Sequence, residues 1–304
     1  MALLSAEFMY KLENLSLVSR RMHRHSGGGR AFTRRRGSSL DFADYRQYQA
    51  GDDFRYIDWN LYSRLGRLFV KLFRAEEDLS LHILIDTSLS MGLYGKLDWA
   101  RQLAAAIGYI AIQRQGSVGV HAFSDRIADS LPTLRRKGAV RSFFSYLEKL
   151  TAEGCTRFSE SLEQHAQSSR YPGIALVLSD LLDPAGYETG IDALLYRGFD
   201  VMLVQVLAPE ELDPPDRGSF ELQDVETGEL LQLDMSERLR REYLSGLESF
   251  FERTGYFAMQ RGIEYLRTST DTSVEDVVFD YLQRGMFLTG FLRLPLPCCS
   301  PSPP

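Results

Sequence analysis

The chain has 304 residues, 44% of them apolar and 25% charged, with a net charge of −6. This is an ordinary globular composition with ample material for a core, and it excludes collagen-like and wholly disordered chains. No run of about 18 apolar residues occurs, so no transmembrane helix is expected.

Three cysteines, Cys155, Cys298 and Cys299, cannot build a disulfide framework, because two of them are adjacent. The start, MALLSAEFMYKLENLSLVSRR, lacks the basic opening and unbroken apolar centre of a signal peptide. A reducing cytoplasm is the expected compartment. The net charge hides a split: residues 1–74 hold 14 Lys or Arg against 7 Asp or Glu, and the remainder hold 21 against 34. The expectation is a basic N-terminal extension, residues 1–77, packing on a main domain, residues 78–290. A proline-rich tail, residues 291–304, is expected to be disordered.

In chain order, residues 7–21 place Phe8, Met9, Leu12, Leu15 and Leu17 at the spacing of an amphipathic helix. Gly27, Gly28 and Gly29 break it, and a basic stretch with Arg34, Arg35 and Arg36 follows. Residues 40–53 are polar and aromatic and too irregular for one element. From residue 78, strands and helices alternate. Residues 81–86 form an apolar strand, 98–112 a helix and 116–123 the next strand. Residues 140–150 are helical, with Phe143, Phe144 and Leu147 on one face. Another helix runs through residue 168, with Ser159 as candidate N-cap. Residues 173–179 and 200–207 are apolar on both faces, as strands inside a helix-covered parallel sheet must be. A helix over 187–197 joins them. Residues 220–225 and 230–233 flank Thr227 and Gly228 and read as a hairpin on the sheet's edge. A long helix over 236–253, a strand near 263–268 and a closing helix from Ser273 complete the pattern. The fold class is α/β: a doubly wound, mostly parallel sheet flanked by helices.

The segment LHILIDTSLS places Asp86, Ser88 and Ser90 at alternate positions just past a strand's carboxyl end. Open α/β sheets hold their ligands there. One carboxylate and two hydroxyls suit a hard divalent cation; the same pattern also suits a polar loop capping the next helix. Asp180 follows a second apolar strand, and Thr156 precedes a helix after Gly154. Singly these read as turn and cap residues. Together, five oxygens on three loops at one sheet edge point to a metal site of Asp86, Ser88, Ser90, Thr156 and Asp180.

This set resembles the metal-ion-dependent adhesion site of von Willebrand factor A domains. A second resemblance lies upstream, in Arg34, Arg35, Arg36 and Gly37, then Tyr45 through Asp53 (YRQYQAGDD), Ile57-Asp58-Trp59 and Leu68 through Lys71. These motifs are similar to the bacterial family called domain of unknown function 58. The likeness covers about residues 10–290 and includes Asp224 through Gly228, DVETG. It implies a von Willebrand A-like fold and a partner role beside a MoxR-type AAA+ ATPase in assembling or maturing protein complexes. Mg²⁺ is the implied cofactor, with Mn²⁺ or Ca²⁺ as alternatives. Ser88, Ser90 and Thr156 would bind it directly or through water, and Asp86 and Asp180 would hold waters or complete the shell. A client's carboxylate would take the open position. Cys155 departs from the pattern, where glycine is common, and the sequence shows no membrane segment of the kind some members carry.

Binding is favoured over catalysis, and no enzyme activity is expected. An ion held mainly by neutral hydroxyls keeps much of its charge for an incoming carboxylate. No His lies near these loops to act as a base; His82 and His121 sit mid-strand and His165 on a helix, and all three read as structural. Ser88 lacks a G-x-S-x-G elbow, and no G-x-x-x-x-G-K-[ST] loop occurs. The expected function is a metal-dependent protein-binding module. One alternative is nucleic-acid binding through the basic arm, with Arg34, Arg35 and Arg36 as contacts. These arginines also suit docking on an acidic partner. The other alternative is a metal-dependent hydrolase.

Overall fold

The computed structural model describes residues 3–13, 15–17, 41–49, 52–74, 80–125, 127–134, 137–284 and 288–290. The chain forms two compact units, one of Met1–Ser26 with Leu79–Pro304 and one of Gly27–Asp78. The larger unit begins with α1 (Ala6–Leu12), capped where Ser5 Oγ accepts from Phe8 N at 3.1 Å. The helix expected over residues 7–21 stops here. Residues 15–17, β1 (Leu15–Leu17), instead pair antiparallel with residues 288–290. Phe8, Leu12 and Leu15 join the main core, so the segment expected as part of an extension supplies core side chains.

In the smaller unit, β2 (Asp41–Gln47) pairs antiparallel with β3 (Phe69–Arg74), and α2 (Trp59–Leu65) lies between them in sequence. Its acidic motif residues are caps and clamps. Asp52 accepts from Arg46 Nη2 and from Gln49 N, both at 2.8 Å. Asp58 is the N-cap of α2, accepting from Asn60 N at 2.9 Å and Leu61 N at 3.1 Å. The Leu61 N–H, the Lys71 ammonium and the Tyr45 hydroxyl hold its carboxyl down at about 2.

The larger unit is built on a six-stranded sheet. Its members are β4 (Ser80–Asp86), β5 (Ser117–Phe123), β6 (Ile127–Leu134), β7 (Ile174–Ser179), β8 (Asp200–Leu207) and, after the β9/β10 hairpin described below, β11 (Glu264–Ser269). The order is β11-β8-β7-β4-β5-β6, parallel except for β6. The doubly wound, mostly parallel α/β sheet is as expected. The antiparallel edge strand β6 was not expected; its sequence, IADSLPTL, has no unbroken apolar run and contains Pro132. An edge position tolerates a proline that a central strand would reject.

Side chains alternate between two cores. Leu81, Ile83 and Ile85 of β4 face one core with Leu176 and Val204, while Leu84 faces the other with Val177 and Leu203. On the first side pack α3 (Lys96–Gln113), through Leu103 and Ile107, and α4 (Val140–Lys149), through Phe143 and Leu147. On the second pack α5 (Phe158–Ser168), α6 (Glu188–Arg197) and, beyond α7 (Pro209–Leu212), the long α8 (Glu237–Arg261). Each such aliphatic side chain contributes about 1.5–3 kcal/mol when fully buried. Gly108 is where α3 meets Phe143, whose ring occupies the space a Cβ would need. The closing α9 (Val274–Arg284) packs Val274, Val277 and Val278 on the first side, and β12 (Leu288–Gly290) partners β1.

The hairpin of β9 (Gly218–Gln223) and β10 (Leu230–Met235) forms its own two-stranded sheet. It is not on the edge of the main sheet as expected; those edges are β11 and β6. Among the described residues, no helix is long and apolar enough to cross a membrane.

Candidate functional site

β5 lies on one side of β4 and β7 on the other, so the chain reverses direction across the sheet beside β4. A crevice opens past the carboxyl ends of strands at such a point. Asp86 ends β4 there, fully buried. Its Oδ1 accepts from Ser88 N at 2.9 Å and its Oδ2 from Ser179 Oγ at 2.6 Å. Burial, with the nearby charge of Asp180, pushes its carboxyl up to about 7 against the pull of those hydrogen bonds. Ser88 Oγ and Ser90 Oγ lie 3.0 Å apart.

The loop carrying Ser88 is tied to the one that leads to Thr156. Glu153 N donates to Thr87 O at 2.7 Å, and Leu89 N to Gly154 O at 3.0 Å. Gly154 makes this possible with a φ of 78°, and a Cβ there would come within 3.1 Å of Ser124 Oγ. Arg157 N donates to Ser124 O at 2.8 Å, which fixes the start of α5 against the loop after β5. Ser159, expected as the N-cap, does not cap this helix; Arg157 holds that position, and Ser159 Oγ donates to Gly186 O at 2.9 Å.

Asp180 follows β7 and is buried. Its Oδ1 accepts from Leu182 N at 3.1 Å and its Oδ2 from Lys96 Nζ at 2.8 Å. Leu181, between them, has a φ of 62°. A left-handed leucine costs about 1–2 kcal/mol, so local strain is held at this corner. Lys96 is fully buried and also donates to Glu211 Oε1 at 2.5 Å. Burial opposes its charge, but Asp180 and Glu211 hold its pKa above the ordinary lysine value.

The structure therefore brings Asp86, Ser88 and Ser90 onto one loop. It binds that loop to the Thr156 segment and links Asp86 to Asp180 through Ser179. Thr156 is engaged elsewhere. Its N–H donates to Glu226 Oε2 at 3.0 Å and its Oγ1 to Glu226 Oε1 at 2.8 Å. Glu226 lies in the turn of the β9–β10 hairpin, where Asp224 Oδ1 accepts from its N–H at 2.9 Å. The neighbouring Cys155 is exposed and unbridged, and its Sγ donates to Glu226 O at 3.5 Å.

Three participants were missed in the sequence: Lys96, Glu211 and Glu226. Lys96 left one signal, a cation in the first turn of a helix, against the helix dipole. Glu226 left none. Arg34, Arg35, Arg36, Cys298 and Cys299 lie outside the described residues.

A family model described as "Protein of unknown function DUF58" matches residues 44–249. The uncharacterized proteins Mb1516 of Mycobacterium bovis and Rv1480 of Mycobacterium tuberculosis are each 24% identical over 215 residues. These matches cover 68% of this chain and 67% of each relative. Among solved structures, the conserved hypothetical protein BatB from Bacteroides thetaiotaomicron is similar over 68% of this chain and 98% of its own, at 16% identity and a TM-score of 0.43. An aerotolerance-related membrane protein from Bacteroides fragilis is similar over 66% and 97%, at 16% identity and a TM-score of 0.42.

Proposed function

The chain belongs to the DUF58 family of proteins of unknown function, and from that premise we propose a metal-dependent protein-binding module of von Willebrand A-like design. It works beside a MoxR-type AAA+ ATPase, the partner implied by the sequence resemblance. The observation that carries the reading is the Glu226 carboxylate on the N–H and hydroxyl of Thr156. The Thr156 corner accepts a carboxylate, and the hydroxyls of Ser88 and Ser90 stand on the loop bonded to it.

The donor set fits a hard divalent cation. Ser88, Ser90 and Thr156 offer three neutral hydroxyls. Asp86 is a buried carboxylate whose hydrogen-bond partners among the described residues, Ser88 and Ser179, include no cation. Asp180 already accepts from Lys96 and Leu182, which suits it to orienting water rather than direct ligation. Mg²⁺, when bound, would keep much of its positive charge for an incoming carboxylate. The chain's own part is to hold the hydroxyls together, keep Asp86 dry and present the open face beside Thr156.

Capture of the chain by a purified MoxR-type ATPase, with Mg²⁺ and with a chelator, tests the proposal. Binding should require Mg²⁺ and be lost when Ser88→Ala and Ser90→Ala are combined. Equal capture under all three conditions would overturn it.

A further inference from the structure

On the same face of the sheet, at the other end of β4, three imidazoles converge. His82 of β4 and His121 of β5 are half-buried, and His165 of α5 is 2% exposed. One ligating nitrogen from each lies within 4.8 Å of the others. His82 Nδ1 is 3.1 Å from His165 Nε2, and the His121 and His165 ring centroids are 4.3 Å apart. We propose that His82, His121 and His165 form a site for a borderline divalent transition-metal ion, Zn²⁺ foremost, separate from the oxygen-rich loops around Asp86.

The strand pairing creates the cluster. His82 is opposite Gly119 and His121 opposite Leu84, so the two imidazoles are diagonal neighbours on one face. A Cβ at Gly119 would lie 3.3 Å from His121 Nε2, so glycine there leaves room for the ring. His165 comes down from α5 onto the pair. Asp86 is four residues along β4 from His82, about 13 Å away, with Leu84 between them on the same face and Phe123 paired opposite Asp86.

The chemistry matches the geometry. Imidazole nitrogens suit Zn²⁺, Co²⁺, Ni²⁺ or Cu²⁺, not Mg²⁺. Zinc–nitrogen bonds of about 2.0–2.1 Å in a tetrahedron separate the nitrogens by about 3.3 Å. The His82–His165 pair already has nearly that separation, and a small closure brings in the third ring. Ser80 Oγ lies 3.1 Å from His82 Nε2. In the tautomer that carries its proton on that nitrogen, Ser80 Oγ accepts from it and the Nδ1 lone pair is left for the ion, the usual role of a ligand's outer partner. Ser169 Oγ, 3.1 Å from His165 Nε2, stands by as an oxygen for a fourth position that water also fits. Burial keeps all three rings neutral at pH 7, as ligands must be. Because α5 runs from just after Thr156 to His165, a bound ion would pin that helix to β4 and β5.

The test uses the full chain carrying Ser88→Ala and Ser90→Ala, stripped with a chelator and titrated with Co²⁺ and then Zn²⁺. One equivalent of Co²⁺ should give the intense visible bands of a tetrahedral ion, without the near-ultraviolet band of cysteine ligation, and Zn²⁺ should displace it. His82→Gln and His121→Gln should each weaken binding at least about tenfold. X-ray absorption of Zn²⁺ in the chain with its histidines unaltered needs no histidine variant to fold, and it should count three imidazoles. No stoichiometric binding overturns the proposal, as does a shell of oxygen or sulfur alone, or binding unchanged in folded histidine variants.

Discussion

Thr156 gives both its backbone N–H and its hydroxyl to the two carboxylate oxygens of Glu226, seventy residues further along the chain. A hairpin outside the main sheet thereby places an acidic side chain on the loop that the proposed function reserves for a partner's carboxylate. Under that proposal, the chain's own residue would compete with the partner for one position. Leu222, Leu230 and Leu231 of the same hairpin are exposed, so releasing the turn breaks no core.

Replacing Glu226 with Gln removes the charge and keeps the shape. Charge-assisted hydrogen bonds are worth about 1.5–3 kcal/mol at best, less at a partly exposed site. Hydrogen exchange should rise at residues 224–228 with global stability changed by less than about 1 kcal/mol. Mg²⁺-dependent capture of the ATPase should strengthen. Weaker capture by Glu226→Gln would show that the glutamate supports the site instead of occupying it.

Lys96→Met should be strongly destabilising. It leaves Asp180, 1% exposed, and the partly buried Glu211 without their shared cation. Breaking a buried pair by removing one partner costs about 3–5 kcal/mol. Urea denaturation of the variant checks this, and a loss below about 1 kcal/mol would mean that water or a rearranged side chain replaces the ammonium.

The metal-free protein should lose stability as pH falls below about 6.5. Burial lowers His82 and His121 from 6.5 to about 4 and His165 to about 2. Between those values and 6.5 the unfolded chain binds more protons than the folded one, so unfolding is favoured as protons are added. Each ring contributes up to about 1.4 kcal/mol per pH unit. Asp86, pushed up to about 7, works in the opposite direction and offsets about one ring. Denaturation midpoints at pH 7 and pH 5 should differ accordingly, and His121→Gln should flatten the difference. Identical midpoints in the unaltered chain would contradict the burial of neutral histidines.

What the sequence determined by itself is the local and periodic part of this protein. Strands β4, β7 and β8 were legible because a strand covered on both faces must be apolar throughout. The placement of Asp86, Ser88, Ser90 and Asp180 past the carboxyl ends of β4 and β7 was legible because each follows an apolar run. The cap of α2 was present as Asp58, although its role emerged only with the helix it starts. Strand β6 was hidden, because an edge strand interrupted by Asp129, Ser130 and Pro132 lacks the continuous apolar run of the buried strands. Only the tertiary structure decided the pairings that close over long separations: Glu226 on Thr156, Lys96 between Asp180 and Glu211, and His82, His121 and His165 against one another. None of these follows from spacing, because each depends on which strands are neighbours and which helix covers them. Hydrogen bonds and buried charges are short-range, so their partners are chosen by the packed sheet and not by distance along the chain.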